Sequence, residues 1–222
     1  MTEAEYLHTT RTVYDAVAVD YEKLLRDELD DKPLDRAMLA AFAELVRAAG
    51  LGPVADLGCG PGRVTAHLSS LGVDVFGVDL SAEMIAVARR RHPGLRFEQG
   101  SMTALDLADN TLGGALVWYS TVHTPPELLP KVFAECHRVL APGAPLLLAF
   151  KVGDLRRPLG QAYGHELPLT LDVYWLAPDH LAALLNESGL PVDARLIREP
   201  DASEKPRQGQ QGFFLTHKPT ES

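Results

Sequence analysis

One stretch constrains the chain more than any other: Val54-Ala55-Asp56-Leu57-Gly58-Cys59-Gly60-Pro61-Gly62, an apolar strand that runs into a glycine turn and then a helix. Glycines there let a ligand approach bare backbone at the carboxyl end of a first strand, where open α/β sheets bind their ligands. The spacing G-x-G-x-G departs from a dinucleotide fingerprint. That motif wants its third glycine where this chain has Arg63, and it keeps the helix N-terminus bare for a pyrophosphate. Asp56 just before the turn is unwelcome beside phosphate but suits a cationic ligand.

Around the turn, short apolar strands alternate with amphipathic helices: VADL, a helix over 62–71, VDVFGV, a helix over 82–91, LRFE, GALVW, a helix over 126–139 and PLLLAF. This succession predicts a doubly wound α/β fold, a mostly parallel sheet with helices on both faces. Helices precede it over 12–25, where Val13, Val17, Leu24 and the rings of Tyr14 and Tyr21 recur at helical spacing, and over 34–49, stopped by Gly50. Ser81 is expected to cap the helix carrying Glu83, and Thr124-Pro125-Pro126-Glu127 reads as a capping box. Residues 152–177 are too long for a simple loop and are followed by a helix over 179–188 with Gly189 as its stop. Strands at VDARLI and GFFLTH close the sheet, the last one antiparallel, and the polar stretch 200–211 between them is expected to protrude.

At 222 residues the chain has the length of one domain, 1–222. Its net charge of −9 repels phosphate backbones, and Arg89-Arg90-Arg91 ends a predicted helix, where cations suit the macrodipole. Nucleic acid is therefore not expected as a partner. The two cysteines, Cys59 and Cys136, sit in a glycine loop and an apolar helix and suggest neither a disulfide framework nor a metal site. The N-terminus has no secretory pattern and no run approaches the roughly 18 apolar residues of a membrane span. A cytoplasmic protein without a membrane partner is expected.

Asp79 ends the second strand, 21 positions after Gly58, where a carboxylate can accept both hydroxyls of a ribose. With these residues in view, the chain resembles the class I S-adenosylmethionine-dependent methyltransferases, in their small-molecule branch, over roughly residues 12–217. The resemblance is carried by VADLGCGPGRVTAHL, GVDLSAEMIAVAR and HRVLAPGAPLLLAF, in that order. Tyr14-Asp15-Ala16-Val17-Ala18-Val19-Asp20-Tyr21 looks like the family's Y-D-x-x-A-x-x-Y opening helix.

The resemblance implies S-adenosylmethionine as cofactor and S-adenosylhomocysteine as product. Asp56, Gly58 and Gly60 would cradle the methionine portion, Asp79 would hold the ribose, and Leu80 would pack on adenine. Ser101 and Met102 would meet the adenine edge and face, while Trp118 and Tyr119 would flank the reactive methyl. Tyr14 and Tyr21, seven residues apart and so within about 20° on one helical face, would fold over the cofactor as part of a helical lid spanning 1–50. Residues 152–177 would form a substrate-side insertion. The chain departs from the family at Gly114, where an aspartate often opens the fourth strand. It also lacks, after Trp118, the Asn/Asp-Pro-Pro-aromatic motif of methylases acting on amino groups of nucleic acid bases.

Methyl transfer is an in-line displacement, so alignment, worth roughly 7–11 kcal/mol, outweighs a positioned base, worth about 10²–10⁴-fold. His123, beyond the fourth strand, is the first candidate base, and His165, with Tyr163 and Glu166 in the insertion, is the second. Arg156 and Arg157 are candidates to meet an acidic substrate. The expected partner is a small-molecule acceptor of O-, N- or C-type, and a homodimer stays open. Two alternatives remain at this level: a cofactor-binding partner subunit without transferase activity, and a nicotinamide-dependent oxidoreductase, which Asp56 and the missing third glycine disfavour.

Overall fold

The computed structural model describes residues 1–200 and 209–220. In chain order its strands are β1 (Val54–Leu57), β2 (Val75–Asp79), β3 (Phe97–Gln99), β4 (Gly114–Trp118), β5 (Pro145–Lys151), β6 (Leu155–Ala162), β7 (His165–Trp175), β8 (Val192–Arg198) and β9 (Gln211–His217). The helices are α1 (Glu3–Leu25), α2 (Pro33–Ala49), α3 (Arg63–Ser70), α4 (Ala82–Arg91), α5 (Leu129–Val139) and α6 (Pro178–Glu187). Seven strands form one sheet in the order β3-β2-β1-β4-β5-β9-β8. Its pairings are parallel except those of β9, which runs antiparallel to both neighbours. This is the predicted doubly wound fold.

The central strands read as unbroken apolar runs because both faces are covered. On one face α5 and α6 bring Leu129, Phe133 and Leu185 against Leu146 and Phe150; on the other, α2 and α3 bring Leu39, Phe42 and Leu68 against Leu116 and Leu147. The strand order reverses between β1 and β4, and a crevice opens at their carboxyl ends.

Four local readings change. Helix α1 begins well before Thr12, because Thr2 and Glu5 form a capping box: the Thr2 hydroxyl accepts from the Glu5 amide and the Glu5 carboxylate from the Thr2 amide. Leu24 is 65% exposed; the packed face of α1 is made by Val13, Val17 and Ala18, and no hydrophobic cluster takes in Leu24. Thr124 caps no helix. A 3₁₀ turn, Pro126–Leu128, precedes α5, and the buried Thr124 hydroxyl pairs instead with that of Tyr6 at 2.9 Å. Finally, Gln211 does not protrude, because it opens β9 in register with Lys151 and Arg198; of the predicted protrusion, 201–208 lies outside the described residues.

Helix α1 is docked in this structure. Val13 and Val17 are buried, and Asp15 accepts hydrogen bonds from the Ser81 hydroxyl at 2.5 Å and the Glu83 amide at 3.2 Å, joining α1 to the start of α4. Ser81 itself caps α4, as expected, by accepting from the Met84 amide. If this docking persists without ligand, Asp15→Ala should lower stability by about 0.5–2 kcal/mol, the range for a lost helix cap. Thermal unfolding without cofactor is the check, and an unchanged melting temperature would mean that α1 docks only over a ligand.

The insertion is a separate hairpin of β6 and β7. Its two-residue loop, Tyr163 (φ +53°) and Gly164 (φ +84°), has positive φ at both positions, as a type I′ turn requires.

Candidate active site

A cavity of about 320 Å³ lies over the crevice, roofed by α1 and the hairpin. Its floor begins at the glycine turn. The amides of Gly58 and Cys59 both donate to the Val78 carbonyl, and the Gly60 amide donates to Asp79 Oδ2 at 2.8 Å. The turn therefore spends these donors on β2 and does not present them as a phosphate nest would. Gly58 (φ +76°) has a steric reason as well, since a Cβ there would stand 2.3 Å from that of Ser120.

Asp56 is placed behind this floor. Only 1% exposed, it accepts the Thr65 hydroxyl at 2.6 Å and is bonded by the Thr65 backbone, so it caps the start of α3 from below. It does not line the cavity, and burial pushes its carboxyl up to about 7. The direct contact with the methionine portion expected for it does not fit this position. A buried hydrogen-bond acceptor beneath the first turn of α3 does.

Asp79 does reach the cavity. Its Oδ1 accepts from the Ser81 amide at 2.8 Å and its Oδ2 from Gly60, the Leu80 backbone bonds it as well, and acceptor capacity remains for a ligand. Burial raises its carboxyl to about 6, against the pull of those amides. Leu80, Ser101 and Met102 continue the wall on this side. Beyond β4 the wall is Trp118 and Tyr119, and Tyr119 holds φ +55°, its amide bonded to the Ala149 carbonyl. Non-glycine residues in that region cost of order 1–3 kcal/mol and gather at functional sites. Trp118 also packs on Phe213 as core.

Tyr14 and Tyr21 line the roof as expected, their rings 5.9 Å apart. The Tyr14 hydroxyl lies 2.7 Å from His123 Nε2, while His123 Nδ1 lies 2.6 Å from the Asp172 carbonyl. A carbonyl only accepts, so Nδ1 carries the proton and Nε2 accepts from Tyr14. Burial lowers the imidazole to about 4. His123 is thus a neutral ring that orients Tyr14, a poor general base near pH 7. His165 does not line the cavity; it is exposed and pairs with Asp20 of α1 at 2.8 Å, tying the hairpin to the helix. Arg156 is likewise outside, engaged by Asp172 at 2.8 Å, and Arg157 is not on the wall. That side of the site offers neither of the roles first considered for these three.

Of the wall residues to which the sequence assigned no cofactor role, three bear on the chemistry: Thr10, Ser120 and Tyr163. Thr10 sits one turn before Tyr14 on the same helical face, a spacing that could have revealed it. Ser120 and Tyr163 carry no comparable signal. The hydroxyls of Thr10 and Ser120 are buried, line the cavity and have no hydrogen-bond partner within the protein, which is costly unless a ligand supplies one. An elongated polar cofactor with an adenosine end at Asp79 and a charged amino-acid end near Ser120 fits these groups.

The sheet order and the glycine turn are those of a Rossmann-like methyltransferase fold. Residues 54–143 match the family described as methyltransferase domain. The chain is 33% identical over 134 residues to a malonyl-[acyl-carrier protein] O-methyltransferase of Pectobacterium atrosepticum, covering 55% of this chain and 52% of that protein. It is 30% identical over 160 residues to a demethylmenaquinone methyltransferase of Beutenbergia cavernae, covering 72% and 65%. The chain thus spans between half and two thirds of these relatives. Among solved structures, a 1,6-didemethyltoxoflavin-N1-methyltransferase from Burkholderia thailandensis, with bound 1,6-didemethyltoxoflavin and S-adenosylhomocysteine, superposes with a TM-score of 0.69 at 21% identity, over 99% of this chain and 91% of that one. A magnesium protoporphyrin IX methyltransferase from Synechocystis, with bound S-adenosylmethionine, gives 0.69 at 13% identity, over 96% and 97%. At such identities these two share the fold.

Proposed function

We propose that the chain transfers a methyl group from S-adenosylmethionine to a small molecule. The observation that carries this reading is the cavity at the strand-order reversal, with Asp79 at one end and the unsatisfied Thr10 and Ser120 hydroxyls nearer the other. Asp79 would hold the ribose hydroxyls, Leu80, Ser101 and Met102 the adenine, and Gly58, Gly60 and Ser120 the methionine portion. Asp56 contributes indirectly, by fixing the start of α3. Bound cofactor supplies an electrophilic methyl on a sulfonium. The protein's own task is then to align the acceptor and exclude water, which the roof of Tyr14, Tyr21 and Tyr163 is built to do.

His123, held neutral, serves to orient the Tyr14 hydroxyl rather than to take a proton. The reading extends to one domain with residues 1–50 and the hairpin as its roof, to a small-molecule acceptor as partner, with neither nucleic acid nor membrane bound, and to a cytoplasmic setting. Two buried free cysteines support that setting. Among the described residues no helix is long and apolar enough to cross a membrane. Incubation with methyl-labelled S-adenosylmethionine and a panel of small hydroxyl, amine and carboxylate acceptors should release S-adenosylhomocysteine. Binding of cofactor without turnover on any acceptor would favour a non-catalytic partner subunit, and failure to bind it would overturn the proposal.

A further inference from the structure

The tip of the hairpin places an aromatic ring where its turn disfavours one. Type I′ turns take Asn, Asp or Gly at the first central position, yet here it is Tyr163, at φ +53°. Its half-buried ring packs against α1, with centroids 4.8 Å from Tyr21 and 6.5 Å from Tyr14. The three planes are inclined at 40–73° to one another, like adjoining walls of a box rather than a stack.

This box stands over one particular part of the crevice. Tyr21 lies 3.9 Å from where a Cβ of Gly60 would be, at the end of β1, and Tyr14 touches His123, just beyond β4. The strand order reverses between these two strands. A cofactor with its ribose at Asp79 on β2 must pass its centre, the sulfonium, beneath these rings. The faces of aromatic rings are negative and attract a cation held close to them.

We infer that Tyr163 completes a three-tyrosine box that recognises the positive charge of the sulfonium, so that the hairpin belongs to the cofactor site and favours the charged cofactor over its neutral thioether product. The inference rests on the methyltransferase reading above. It gives the strained tyrosine a purpose, and it supplies a means of product release, since the attraction ends when the methyl leaves and the sulfur becomes neutral.

Calorimetric titration of the full chain with S-adenosylmethionine and, separately, S-adenosylhomocysteine tests it. Tyr163→Phe keeps the ring and should keep the ratio of the two affinities. Tyr163→Asn suits the turn better than tyrosine and so should fold. It is expected to weaken S-adenosylmethionine by about 2- to 30-fold, the span of one cation–π contact, with S-adenosylhomocysteine nearly unchanged. Equal weakening of both ligands, or no change in either, would overturn the box as a charge-recognition device while leaving the methyltransferase reading intact. A parent protein that bound neither ligand would overturn that reading first, and the inference with it.

Discussion

Replacing Asp56 by asparagine is expected to remove about 4 kcal/mol of pH-dependent destabilisation between pH 4 and pH 8. In the folded protein burial raises this carboxyl to about 7, whereas in the unfolded chain it titrates near 3.9. The folded state therefore holds the proton more tightly. Stability attributable to the group is fully present below pH 4, is lost as the pH rises through 7, and is constant above that. Roughly three pKa units at 1.36 kcal/mol each set the magnitude. For a domain of this size that is about 8–16 °C of melting temperature. Asparagine can still accept the Thr65 hydroxyl, so the capping contact survives in part. The comparison to make is the slope of melting temperature against pH for the two proteins. Parallel slopes would mean that Asp56 is not buried as a reluctant acid beneath the turn.

The second large effect falls on binding. Asp79→Ala should weaken S-adenosylmethionine by about 10- to 150-fold, the equivalent of one charge-assisted hydrogen bond worth roughly 1.5–3 kcal/mol. Because the folded carboxyl sits at about 6, affinity should also fall as the pH drops from 7.5 to 5, where the group becomes a neutral acid. Asp79→Asn should bind weakly at both pH values, imitating the protonated parent. Calorimetry at the two values resolves all three expectations. An alanine variant that remains folded and keeps the parent's dissociation constant would remove the ribose assignment.

How much of this was legible in the sequence depended on where burial wrote a pattern. The runs VADL, GALVW and PLLLAF, apolar except for Asp56, announced strands because both faces of a parallel sheet are covered. The cofactor half of the cavity followed from the strand ends, since Gly58 and Gly60 come just after β1, Asp79 ends β2 and Ser101 lies just past β3. The hairpin left no such trace. Most of Leu155–Ala162 is exposed, two prolines interrupt β6 and β7, and the turn uses Tyr-Gly in place of the usual Asn-Gly signal. The roles of His123, His165 and Asp56 were illegible for another reason. Each depends on a partner far away in the chain or on the far side of the turn: Tyr14 and Asp172 for His123, Asp20 for His165, Thr65 for Asp56. The start of α1 was legible and overlooked, for Thr2-Glu3-Ala4-Glu5 spells a capping box.

The close approach of Gly58 to Ser120 binds together two positions that lie far apart along the chain. Any side chain gained at 58 would need room that only a bare backbone at 120 could give, and growth at 120 would press on the turn beneath the cofactor. Neither position can drift alone. Across the descendants of this gene, the history of one should be readable in the other as paired exchange or as shared refusal to change.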